Sequence, residues 1–304
     1  MKKIFVCLLV VGAISQSEAS LLFYDSFNYS GGSLGTVGTP TWVKNGTSAD
    51  PAVQSVGGLT FPGLQVSSDT LSLQYDGSGV GSPAATDGTT LSGQPYTSGS
   101  LYYSLLLKVT VVQTTGGNGF ATGANLTSGS FMAGLQTIAS STAPAVGSTA
   151  APLLIRSGDG TQFSSTFQLG TSKTATSADR QFYTGQSFST GANGDTVFLV
   201  LKYTFDSVNG DSASLFVNPT PGNPEPFAQL TVTTGTALTL NSGIQSFFVR
   251  NNSVEPDTLL IDELRIGTTW GDVTPPIVPE PSAAFLGSCA ALALLVSRRL
   301  VRRK

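Results

Sequence analysis

The sequence predicts an all-β domain, a sandwich or barrel of short antiparallel strands. Three observations predict it. Apolar stretches are short and rich in Val, Phe, Tyr and Leu. They are separated by Gly, Asn, Asp and Pro, the residues that turn a chain. No helix-forming pattern occurs before residue 283. No charge run or sharp change of composition divides residues 20–275, so they are expected to form one domain.

Residues 21–27 read as a first strand, followed by a Gly/Ser loop, and Trp42 and Val43 carry a short second one. Residues 52–61, 63–66 and 70–75 read as a meander, and 77–99 as a polar loop. Residues 101–112 are the longest candidate: Leu105, Leu107, Val109 and Val111 form one apolar face. After a Gly-rich loop come shorter strands at 131–138, 153–156 and 165–169, with an Ala/Ser/Thr loop at 139–151. The clearest hairpin is 196–205 with 212–217, joined through Asn209-Gly210, a strong turn signal. It should turn Val197, Leu199, Leu201, Tyr203 and Phe205 to the core with Ala213, Leu215 and Val217, and turn Lys202 and Ser214 to solvent. Residues 219–226 interrupt the pattern. Strands at 227–233, 244–250 and 259–266 complete the domain, which closes around Trp270.

The ends read differently. Lys2 and Lys3 precede an apolar stretch, and Ser17-Glu18-Ala19 offers small residues at cleavage spacing. Residues 1–19 are therefore expected to be a Sec-type signal peptide cut after Ala19. Residues 276–282 form a Pro-rich stalk containing Pro279-Glu280-Pro281. An uncharged apolar run from Ala283 to Val296 follows, then Arg298, Arg299, Arg302, Arg303 and Lys304. Such a run can enter the inner membrane as a helix, so that residues 283–304 comprise a membrane helix and a basic tail held on the cytoplasmic side. The Pro-Glu-Pro element, apolar helix and Arg-rich tail, in this order, resemble the PEP-CTERM sorting signal. The resemblance implies an exosortase as partner. It also implies Sec export, a membrane-anchored stage, and final placement on the cell surface or outside the cell.

Charge and missing residue types narrow the chemistry. From residue 20 to 282 there are eight Lys and Arg against seventeen Asp and Glu, a net charge of −9. Such a surface repels phosphate backbones and anionic lipid, so nucleic acid is excluded as a partner. Both cysteines, Cys7 and Cys289, lie in the terminal segments, and the chain has no histidine. That removes Ser-His and Cys-His nucleophile pairs and the usual zinc ligands. Carboxylate chemistry or an oxygen-ligand calcium site remains.

A second resemblance rests on three stretches: Tyr24-Asp25-Ser26-Phe27-Asn28-Tyr29, the pair Phe198-Leu199-Val200 and Ser214-Leu215-Phe216-Val217-Asn218-Pro219, and Ile261-Asp262-Glu263-Leu264-Arg265-Ile266-Gly267. They resemble the laminin-G-like, concanavalin A-like domains, which implies an antiparallel jelly-roll β-sandwich. Asp262 and Glu263 adjoin and so should point to opposite faces, with Glu263 pairing Arg265 and Asp262 bonding locally. Asp206, Asn209 and Asp211 are the candidate calcium ligands, although their spacing is not that of an EF-hand loop and a turn already accounts for them. Tyr96, in a Gly/Pro loop, is the candidate for stacking on a sugar. The leading expectation is a non-enzymatic, surface-sorted structural or adhesive protein associated with exopolysaccharide. The alternative is a carbohydrate-binding module, with or without calcium. A glycoside hydrolase or lyase stands third.

Overall fold

In a computed structural model, the structure describes residues 21–45, 52–54, 58–67, 72–76, 85–111, 120, 124–236, 238, 243–251 and 258–277. The signal peptide, Pro279-Glu280-Pro281, the 283–304 helix, Arg298 and Arg299 lie outside them. No helix among the described residues is long and apolar enough to cross a membrane.

In chain order the strands are β1 (Leu21–Asp25), β2 (Gly32–Ser33), β3 (Val43–Asn45), β4 (Ala52–Gln54), β5 (Ser72–Asp76), β6 (Ala85–Thr90), β7 (Ser100–Val111), β8 (Ser130–Gln136), β9 (Thr149–Ser157), β10 (Thr166–Thr171), β11 (Gln181–Phe182), β12 (Phe188–Ser189), β13 (Thr196–Thr204), β14 (Ser212–Val217), β15 (Leu230–Val232), β16 (Ser246–Asn251) and β17 (Thr258–Gly267). Helices are short: α1 (Leu34–Val37), α2 (Ala124–Ser128) and α3 (Trp270–Val273). The first sheet runs β15-β14-β13-β7-β17-β5-β4-β2, with β1 also on β17. The second runs β11-β10-β9-β8-β16-β6-β3, with β12 on β10. All these pairings are antiparallel, so the domain is a two-sheet β-sandwich.

Side chains from both sheets fill the space between them. Leu105, Leu107, Leu199, Leu201 and Ile261 of the first sheet join Leu153, Ile155, Phe167, Phe247 and Val249 of the second in one buried cluster. The expected hairpin has its expected register, with Leu199 opposite Val217, Leu201 opposite Leu215 and Tyr203 opposite Ala213. Gly210 supplies the left-handed residue of its turn, at φ 84°.

The other face of that hairpin is a correction. Lys202 and Ser214 do not point into open water. The outer face of the first sheet is closed by a second cluster in which Tyr102, Leu106, Phe198, Val200 and Phe216 meet Leu59, Leu64, Trp270 and Val273. Ser214 is buried and shares a hydrogen bond with Thr231. Lys202 lies over the Tyr102 ring and pairs with Glu225 at 2.9 Å. The 58–67 stretch, read as strands, is this sheet's cover instead. Leu64 bridges to Pro276, and Ile277 N–H donates to the Gly63 carbonyl. The loop read over 77–99 contains β6, a full member of the second sheet between β16 and β3.

Candidate functional site

The outer face of the second sheet carries a second group of aromatic and cationic side chains. Alternation places it: Phe247 and Val249 of β16 point inward, so Phe248 and Arg250 point outward. On the same side stand Phe131 of β8, Leu154 and Arg156 of β9, Gln168 of β10 and Phe182 of β11. Phe131, Leu154, Ala175 and Phe248 form a small buried apolar cluster of their own, with the half-buried Phe182 packed against it.

Arginines top these rings. The Arg250 guanidinium lies 4.0 Å from the Phe131 ring centre and that of Arg180 lies 5.6 Å from it. Arg156 lies 4.2 Å over Phe182. Such contacts orient a guanidinium. Arg156 donates through Nε and Nη2 to Gln168 Oε1 at 3.0 and 2.8 Å, and through Nη1 to the Thr127 carbonyl at 3.0 Å. Arg180 donates to the Ser128, Gly129 and Ala175 carbonyls. Burial, then repulsion from Arg250, lowers the pKa of Arg180, and burial lowers that of Arg156.

Gly129 joins the two halves of the cluster. Its φ is 66°, and a Cβ there would stand 2.4 Å from the Phe182 ring. Only glycine fits at this point, and its carbonyl also anchors Arg180. Beside Arg156 opens a pocket of about 200 Å³, lined by Leu126, Thr127, Ser157, Gly158, Gly160 and Gln168.

A larger hollow of about 340 Å³ lies across the molecule, where Tyr24 and Arg265 meet Gln65, Ser67 and Asp272. Its charges are already committed. Glu263 pairs with Arg265 at 2.8 Å and accepts from Tyr24 Oη and Ser67 N–H. Asp262 accepts from its neighbour Glu263 N–H and from Leu59 N–H. The two acids form a clasp that holds the 58–67 cover on β17, and Glu263 takes a left-handed φ of 55° to reach it. They do not flank a common bond.

The other expected residues are also placed. Asp206 Oδ1 accepts from Val208 and Asn209 N–H, and its Oδ2 accepts from Asn209 Nδ2. Asp211 accepts from Asp206 N–H and from Tyr203 Oη. The trio thus builds the β13–β14 turn, and among the described residues no group of three His, Cys, Asp or Glu gathers as for a metal. The Tyr96 ring is half-buried against the core, its hydroxyl donates to the Ser92 carbonyl, and its backbone pairs with Ile244. The arginine face was missed by the sequence reading. Its members come from distant strands, and only the sheet order brings them together.

No protein-family model and no curated protein matches the chain. Solved structures do. One is alginate lyase Aly36B in complex with alginate tetrasaccharide, at 13% identity and TM-score 0.44, covering 82% of this chain and 97% of that one. Another is the endo-β-1,4-glucuronan lyase of the fungus Trichoderma reesei, at 12% and 0.39, covering 73% and 92%. A third is the exoplasmic/lumenal domain of VIP36 in its Ca2+/Man3GlcNAc-bound form, at 12% and 0.36, covering 79% and 90%. At these values the likeness is one of fold. It does correct one expectation. Two polysaccharide lyases, together with a GH43 glycoside hydrolase, stand among the similar chains, so the exclusion of catalysis is withdrawn.

Proposed function

We propose that the chain is an exported β-sandwich protein that binds carbohydrate on the outer face of its second sheet. The observation that carries this reading is the cluster of half-exposed Arg156, Arg180 and Arg250, held over Phe131 and Phe182, with a pocket beside Arg156. Guanidinium planes fixed over rings offer a flat, hydrogen-bonding surface against which a sugar packs. The lectin-like jelly-roll assignment and the carbohydrate ligands named for the fold neighbours support the same reading. The Pro279-Glu280-Pro281 element, apolar run and Arg298-Arg299 tail support export and exosortase-dependent sorting, with cell-surface exopolysaccharide as the natural partner. Calcium stays a variable to be tested. The full chain should be screened on an array of bacterial, algal and plant polysaccharides, with calcium and with a chelator. Binding to one class, weakened severalfold by Phe182→Ala in a variant that still folds, is expected. A blank array under both conditions would remove the proposal.

A further inference from the structure

We infer that the ligand of the arginine face is an acidic polysaccharide, one whose sugars carry carboxylate or sulfate groups; this rests on the carbohydrate reading above. The first ground is the distribution of charge. The chain from 20 to 282 carries a net charge of −9 and four arginines. Three of the four, Arg156, Arg180 and Arg250, are gathered on this one face.

The second ground is how those charges are met. Two other cations are neutralised by carboxylates: Lys202 pairs with Glu225 and Arg265 with Glu263. Arg156 and Arg180 instead donate to carbonyl and amide oxygens, and among the described residues no carboxylate pairs with either. Neutral acceptors orient a guanidinium without cancelling its charge. Arg180 and Arg250 are moreover held over the same ring, where like charges repel.

The third ground is donor geometry. A guanidinium has five N–H groups, and Arg156 uses three of them. It borders the 200 Å³ pocket, with Gln168 and Ser157 beside it. The remaining donors suit a planar or tetrahedral oxyanion. Gly160, also in the lining, faces open space, with nothing within 4 Å of where its Cβ would stand.

The test uses the purified full chain and three probes: polygalacturonate, dextran sulfate and neutral dextran. At least one of the two anionic polymers should bind about tenfold or more tightly than dextran, and rising salt should weaken it. The overall negative charge repels such polymers, so affinity must come from a local site. Arg156→Gln should lose most of the preference, and Arg156→Lys should keep part of it, because charge stays while the planar fork is lost. Lys108→Gln, on the other sheet, should leave it unchanged. Thermal unfolding of each variant checks that the fold is kept. Which anionic polymer binds more tightly identifies carboxylate or sulfate. Equal binding of dextran and both anionic polymers would overturn the inference and leave the carbohydrate site standing. An Arg156→Gln protein that folds and keeps the preference would also overturn it. Binding of none of the three, with a blank array, would remove the carbohydrate reading as well.

Discussion

Asp25 is buried, and three donors converge on it at 2.6 Å: Phe27 N–H, Tyr29 Oη and Trp42 Nε1. A carboxylate accepts all three, whereas the amide of Asn would turn two of its own hydrogens toward donors. Asp25→Asn should therefore destabilise the domain by about 3 kcal/mol, read from chemical denaturation. Burial, followed by the hydrogen bond to Asp25, raises the pKa of Tyr29. Burial and the bond to Asp211 do the same for Tyr203. Both folded-state values exceed the unfolded tyrosine value near 10, so the folded state holds these protons longer. Their stabilisation is complete below about pH 10 and is lost as pH rises beyond it. A Tyr29→Phe, Tyr203→Phe protein should start less stable at neutral pH and lose less on going to alkaline pH. A parallel decline of the two proteins with pH would contradict this linkage.

At the scale of the element, the decisive feature is that β7 and β13 are buried on both faces. Leu201 faces the inter-sheet core, and Phe198 faces the second cluster under Trp270 and Leu59. Leu201→Ala should cost about 2–5 kcal/mol and Phe198→Ala about 3–5 kcal/mol. A strand open to water on one face would give a small value for Phe198. The sequence carried this information: Val197 to Leu201 is an unbroken apolar run, as expected for a strand covered twice. The polar Lys202 and Ser214 made it look one-sided. Their polar atoms are satisfied instead by Glu225 and Thr231, on segments whose approach no local pattern signals. The strand β6 was hidden for a different reason. Its sequence, Ala-Thr-Asp-Gly-Thr-Thr, is held by ladders to β16 and β3 rather than by apolar side chains. Gly88 sits where a Cβ would meet the Ser140 backbone at 2.3 Å. The hairpin, the long central strands and the Glu263–Arg265 pair were legible because each is local in sequence. The arginine face was not, because β9, β16 and the segment before β11 meet only through the order of the sheet.

At the scale of the whole molecule, the point where the described chain ends and the arginine face lie on opposite sides. The last described residues, Pro276 and Ile277, leave the domain against Leu64 and Gly63, on the outer face of the first sheet. The arginines lie on the outer face of the second sheet, across the full thickness of the sandwich. A chain held by its C-terminal segment would thus present its ligand face on the side away from its attachment. Sorting and binding should then separate cleanly by mutation. Deleting residues 298–304 removes the basic cluster that would fix orientation at the membrane, so the chain should accumulate unprocessed in the cell fraction. The same truncated chain, once purified, should bind polysaccharide as the full chain does. Arg156→Gln should show the reverse pattern, with normal surface delivery and lost binding. Fractionation with immunoblotting reads the first property, and polysaccharide affinity reads the second. Normal processing of the truncated chain would reject the sorting assignment. Loss of polysaccharide affinity on truncation would mean that the tail contributes to the binding surface, against the opposed arrangement argued from the fold.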